Sequence, residues 1–324
     1  SETATCNNEI VELTITNRAQ YTNVQQESGT LSITPIEIEL TAGSGEKVYD
    51  GKALTKNTYS VTNGAFVSGE GVATATIVGS QLNVGESDNV IEEYVLTAAT
   101  LPENYSITLK PGKLIVTPVT DKVTVTIKEN SDRFTYDAQA HTVNGYSSMV
   151  SDNDLYSVQT SVKVTDDQAH WAATATDAGT YPLGILSTDF ENVNPNFTNV
   201  EFVIEDGTMV IDPMKVTITA GRASRKYDGT PLTQPEFTAT ALATGDRHVF
   251  TVLMTGESTL TNFGKIANVI ATVDGVNVET GVETKVGNYL VTTVDGELEI
   301  QKRTVIMTSG SGNKVYDGKP LTNS

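Results

Sequence analysis

The chain has 324 residues, 40 of them acidic and 21 basic, giving a net charge of −19 and a pI near 4.5. Acidity on this scale disfavours nucleic acid and anionic membrane as partners, and without an 18-residue apolar run no helical membrane insertion is expected. Cys6 is the single cysteine, which excludes an intramolecular disulfide and fits an exported chain that does without them.

Residues 1–35 close on Gln20-Tyr21, then Gly29, then the alternating Leu31-Ser32-Ile33. They are expected to be the C-terminal part of a repeat, because the same closing recurs downstream. Residues 36–118 open on Ile36-Glu37-Ile38-Glu39-Leu40, whose alternation predicts a half-buried strand. The phrase Lys47-Val48-Tyr49-Asp50-Gly51 follows. Further strands are predicted near 57–62, 72–78, 90–97, 104–109 and 113–117, with Asn83-Val84-Gly85 and Asn89-Val90-Ile91 as a mid-segment marker. The segment closes on Asn104-Tyr105, Gly112 and Leu114-Ile115-Val116.

Residues 119–213 repeat this plan in altered form. They open on Val123-Thr124-Val125-Thr126-Ile127, carry a decayed Tyr136-Asp137-Ala138, and offer only Asp177-Ala178-Gly179-Thr180-Tyr181 at mid-segment. They close on Asn196-Phe197, Gly207 and Met209-Val210-Ile211. Residues 214–302 return to the first form: Val216-Thr217-Ile218-Thr219, then Lys226-Tyr227-Asp228-Gly229, then Asn262-Phe263-Gly264 with Asn268-Val269-Ile270, and finally Asn288-Tyr289. Residues 303–324 begin a further copy with Lys314-Val315-Tyr316-Asp317-Gly318. The motif tyrosines stand 87, 91 and 89 residues apart. A period near 90 residues is long enough for each copy to be a small domain of its own.

Short alternating strands between Gly, Asn and Pro, with no capped 3.6-residue period, predict an all-β chain. The expected architecture is a tandem array of immunoglobulin-like β-sandwich domains of about 90 residues, with a β-grasp-like sheet and one short helix as the alternative. Pro35, Pro118 and Pro213 stand between the last strand of one copy and the first of the next. Such short, φ-restricted links predict stiff joints.

In each motif Asp-Gly reads as a tight turn and the tyrosine as a core anchor with a hydroxyl to satisfy. The Asn before each aromatic reads as a turn residue ahead of a strand. Asn104-Tyr105-Ser106 and Asn196-Phe197-Thr198 also match glycosylation acceptors but are read as turns.

The phrase Val-Tyr-Asp-Gly-Lys/Thr-Pro-Leu-Thr, with the Asn-Val-Gly marker and the Asn-Tyr closing, resembles the YDG/MBG-type tandem repeat domains of large bacterial cell-surface proteins. The resemblance spans the chain and is closest in 36–118 and 214–302. It implies an extracellular, cell-wall-anchored adhesin in which this segment is a stalk projecting a distal binding region. It supplies no catalytic residues.

Three sharper readings attach to particular residues. Acidic loops at Asp152, Asp154, Asp166 and Asp167, and at Glu86 with Asp88, are candidate calcium ligands, since hard cations gather several oxygens. Lys47, Lys226 and Lys314 hold equivalent positions before the motif tyrosines and are candidates for a self-made intramolecular cross-link of the Lys–Asn isopeptide kind, the Thr–Gln ester being the other bond of this class. Trp171, with His170 and Tyr181, would suit a glycan platform in the divergent copy if the indole is exposed. That would make a host glycan or surface protein the partner, beside neighbouring repeats of the same chain. The three histidines share no local context, and no HExxH, nucleophile elbow or phosphate-cradling loop occurs, so no enzyme and no cofactor is expected.

Overall fold

A computed structural model describes residues 3–322, and the chain is all-β, with 48% of residues in strands and 4% in helix. The α-helix among the described residues is the four-residue Val158–Ser161. Two compact units divide the chain. The first contains residues 3–126, 149–165 and 187–203; the second contains 127–148, 166–186 and 204–322. The stretch 119–213 therefore contributes to both.

In the first unit, Ala4–Asn8 and Gly29–Ile33 form an exposed antiparallel pair. Residues 36–118 make two sheets. Ile36–Ala42 is the middle strand of the smaller one, antiparallel to Tyr59–Asn63 and parallel to Tyr105–Lys110. Its alternation is the reason it sits there: Ile38, Leu40 and Ala42 are buried while Glu37 faces out. The larger sheet runs Gly45–Val48, Gly112–Thr117, Gly85–Leu96, Val72–Val78, and its first pair is parallel. Ile38, Leu40, Ala42 and Tyr105 from one sheet and Ile91 from the other share one core.

In the second unit, residues 214–301 follow the same plan. Met214–Ala220 pairs in parallel with Tyr289–Val294, and Ala223–Lys226 in parallel with Gly296–Gln301. The register is shared: Ile36 faces Tyr105 and Met214 faces Tyr289, so in both of these copies the first strand starts opposite the aromatic of the Asn-aromatic step. Asp132–Thr135 pairs in parallel with Thr208–Asp212 in the same way. The buried cluster of this unit runs from Tyr136, Leu183, Met209 and Ile211 to Val216, Ile218, Val291 and Tyr289.

Two features were not legible as predicted. Gly45–Val48 is a strand although its residues are polar, because it is held by backbone pairing with Leu114–Thr117. Gly85–Leu96 starts five residues before the predicted position, since Gly85–Asn89 is recruited by Gly112–Val116. The glycine before each last strand is also not a turn glycine. A Cβ on Gly112, Gly207 or Gly296 would lie 2.4, 2.1 or 2.0 Å from the carbonyl oxygen of Ala42, Asn130 or Gly221, so the close approach of two strands demands it.

A buried polar seam accompanies that crossing. Asn89 Nδ2 donates to the carbonyls of Gly43 and Lys56, and Asn268 Nδ2 to those of Gly221 and Gln234. Asn268→Ala is expected to lower stability by about 2–3 kcal/mol, because two buried carbonyls lose their donor. Chemical denaturation would show it, and a loss below about 0.5 kcal/mol would overturn it.

Candidate functional site: the joints between repeats

The motif turn is built the same way four times. Asp50, Asp137, Asp228 and Asp317 each accept, through Oδ1, the backbone N–H two residues on, at 2.9, 2.9, 2.9 and 3.1 Å. The residue between them is left-handed: Gly51, Gly229 and Gly318 at φ 75, 84 and 78°, and Ala138 at 63°. The N–H of Tyr49, Tyr136 and Tyr227 bonds the carbonyl of Thr117, Asp212 and Gln301, which ties each turn to the end of its own last strand. A Cβ is penalised in this conformation, so Ala138→Gly is expected to stabilise the fold by about 0.5–1 kcal/mol. An unchanged or lower melting temperature would count against it.

A basic side chain closes each turn. Lys47 lies 2.5 Å from Asp50 and Lys314 2.8 Å from Asp317. In the third copy Arg225, not Lys226, takes this place, 3.2 Å from Asp228. The expectation that Lys47, Lys226 and Lys314 are equivalent is therefore corrected, since the ion pair fixes the position three residues before the aspartate. In the altered copy His141 approaches Asp137 at 3.0 Å and stacks on Phe134 at 4.2 Å. These contacts hold the aspartates below the usual carboxylate range. The largest cause is the lysine for Asp50 and Asp317, and the backbone N–H for Asp137 and Asp228. An intact mass equal to the sequence mass remains the direct test that no covalent cross-link forms.

Tyr136 lies in the buried cluster of its unit, Tyr49 is half-buried, and Tyr227 and Tyr316 are exposed. Tyr49 and Tyr136 also meet the next copy. In the first unit Tyr49 packs T-shaped on Phe197, with ring centroids 5.7 Å apart. Asn196 Oδ1 accepts the N–H of Val84 at 2.7 Å, its Nδ2 donates to Asn83 Oδ1 at 3.1 Å, and its carbonyl accepts the N–H of Val119 at 2.9 Å. In the second unit Tyr136 packs T-shaped on Tyr289 at 5.5 Å. Asn288 Oδ1 accepts the N–H of Ala178 at 2.8 Å, its Nδ2 donates to Asp177 Oδ1 at 2.9 Å, and its carbonyl accepts the N–H of Met214 at 3.0 Å. The two arrangements are the same clasp. The motif tyrosine and the Asn/Asp-x-Gly turn of one copy hold the Asn-aromatic step of the following copy.

Beneath the second clasp, the hydroxyls of Tyr136 and Tyr289 both donate to Asp246 Oδ2, and the N–H of His248 donates to Oδ1. Tyr289 chiefly, with Tyr136 and the His248 N–H, holds the Asp246 carboxyl below its ordinary range against its partial burial. Burial first, and then Asp246, pushes both phenols up. A carboxyl whose folded value is depressed contributes fully above its ordinary value of 3.8, and the contribution is lost as pH falls below that. Stability should therefore drop on acidification below pH 3.8, and Asp246→Asn should flatten that drop in melts across the range. An identical acid profile in the variant would refute the assignment.

The other candidate residues lie elsewhere. Trp171 is only 5% exposed and packs T-shaped against Tyr146 at 6.0 Å, so it presents no open face for a sugar. His170 lies 3.3 Å from Asp166, and the Tyr181 hydroxyl donates to the carbonyl of Asp177. Asp166 and Asp167 cap the N–H groups of Gln168 and Ala169 in their own loop. Asp152 accepts the N–H of Thr124, and Asp154 is exposed. Glu86 and Asp88 converge on Lys113 at 3.2 and 3.0 Å, which supplies the cation there. The clasp residues Asn83, Val84, Asp177, Ala178, Asn196 and Asn288 were missed as a set. The available signal was the shared period of three markers far apart in the sequence.

No family model matches the chain, and no curated protein matches it. Among solved structures, the I9–I11 tandem from titin is similar over 84% of this chain and 98% of that one, at 10% identity and a TM-score of 0.14. The Bacillus anthracis TIE protein is similar over 86% of this chain and 52% of that one, at 8% identity and a TM-score of 0.13.

Proposed function

We propose that the chain is a force-bearing structural segment, a stalk of immunoglobulin-like tandem repeats in a bacterial cell-surface adhesin. The observation that carries this is the parallel pairing of the first strand with the penultimate one, and of the second strand with the last, in both complete plans. Ile36–Ala42 runs parallel to Tyr105–Lys110, and Met214–Ala220 parallel to Tyr289–Val294, each over six registered residues. When a repeat is pulled by its ends, its last strand, Gly112–Thr117 or Gly296–Gln301, is loaded in shear against its parallel partner, Gly45–Val48 or Ala223–Lys226. All their hydrogen bonds then resist together rather than opening one by one. The clasps extend this continuity across the joints, and the YDG-type motif supports a surface setting. The acidic, disulfide-free composition suits such a setting.

The test is single-molecule extension of the full chain. The expected result is unfolding in steps of near-equal contour length at high force. Unfolding at very low force would overturn the reading. Asn288→Ala is expected to leave the force of the steps unchanged while making the second joint more compliant.

A further inference from the structure

The third copy carries the receiving half of a clasp. Tyr227 matches Tyr49 and Tyr136, and Asn262-Phe263-Gly264 matches Asn83-Val84-Gly85 and Asp177-Ala178-Gly179. Gly264 shares the left-handed conformation of Gly85, at φ 149 against 139°. At the other two positions these residues are covered: Tyr136 is 7% exposed, and Val84 and Ala178 are half-buried. Here Phe263 is 60% and Tyr227 42% exposed. They line a cavity of about 660 Å³ together with Asn262, Lys302 and Arg303. Lys302 Nζ rests 4.8 Å above the Phe263 ring. Arg303 occupies the position of Val119 and Met214, the residues whose N–H groups bond the clasped Asn carbonyl.

We propose that this face docks the Asn-aromatic step of a following repeat of the same kind. The incoming Asn Oδ1 accepts the N–H of Phe263, its Nδ2 donates to Asn262 Oδ1, and its carbonyl accepts the N–H of Arg303. The incoming ring packs T-shaped on Tyr227 and displaces Lys302 from Phe263. The occupant is specified by what fills the two equivalent faces: an Asn followed by Tyr or Phe at the head of a strand that pairs in parallel with the segment after Lys302. A free sugar or unrelated peptide would not supply this donor–acceptor set in register. Residues 303–322 already carry the opening of such a copy, including the motif turn at Asp317. The inference rests on reading the chain as a tandem array but does not depend on its mechanical strength.

The experiment extends the full chain after Ser324 with a copy of residues 236–302, which completes a fourth repeat and brings in a second Asn288-Tyr289 step. Amide exchange at Phe263 and Arg303 is compared with the original chain. Slowing by about tenfold, the equivalent of one net hydrogen bond, is expected at both. It should vanish when the appended Asn is replaced by Ala. A folded appended repeat with unchanged exchange at Phe263 overturns the proposal. A second version replaces residues 303–324 with an intact copy of 214–301, a sequence that already folds in this chain. This version guards against a misfolded chimeric core, and unchanged exchange there overturns the proposal as well. Force measurements on the original chain are independent, so failure of the stalk reading and failure of the docking inference are distinguishable.

Discussion

Trp171→Ala is expected to lower the stability of the fold by about 3–5 kcal/mol, the usual cost of truncating a large buried aromatic. The indole is buried, and its own backbone is tied at both ends: its N–H donates to the carbonyl of Gln168, and its carbonyl accepts the N–H of Gly145. Removing the ring leaves a cavity beside Tyr146 and loosens a loop in which Gln168 already takes a left-handed φ of 65°. Trp171→Phe retains part of the packing and should cost roughly half as much. Trp171 is the single tryptophan, so its emission reports unfolding directly in the parent chain. Backbone circular dichroism serves for the variants. A loss under about 1 kcal/mol would mean the ring contributes little to the core and would reopen a binding role.

The second large effect is expected at Glu129. It is 4% exposed, with Oε1 accepting the N–H of Ile185 at 2.9 Å and Oε2 accepting the N–H of Gly207 at 2.7 Å. Glu129→Ala strands two buried donors and should cost about 2–5 kcal/mol. Glu129→Gln should cost less but not nothing, because its amide oxygen can serve one N–H while its NH₂ group opposes the other. Denaturant midpoints of the two variants give the order. Equal stability of Gln and Glu forms would refute the two-acceptor role.

Glu129 also shows why the altered copy was hard to read. The first and third copies stitch the strand crossing with Asn89 and Asn268, which donate to carbonyls. The middle copy has Leu183 where the period places that asparagine and closes the crossing with an acceptor aimed at amides instead. One buried polar seam is satisfied with opposite hydrogen-bond polarity. Sequence comparison registers only a lost asparagine and an unremarked glutamate, because complementarity is a property of the pair of strands.

The strands themselves were legible. Ile38, Leu40, Val123, Val125, Ile127, Val216 and Ile218 alternate with polar residues, and all are at most 2% exposed. A period of two leaves a strand one choice of inward face. The polar stretches Gly45–Val48 and Gly85–Asn89 were not legible as strands, since their pairing comes from partners about 70 and 27 residues away.

The motif turn is the clearest case of what the sequence determined alone. Around Asp317 the same Asp-to-amide bond, lysine contact and left-handed glycine form with Tyr316 91% exposed. The interactions are all within a few residues, so local chemistry suffices. What the motif tyrosine does was decided only by tertiary structure. Tyr316 faces solvent, Tyr227 is half-open, Tyr49 meets Phe197, and Tyr136 is buried against Tyr289. The same turn forms beside the ring each time, and an Asn-aromatic step about 150 residues downstream packs on it at the two joints.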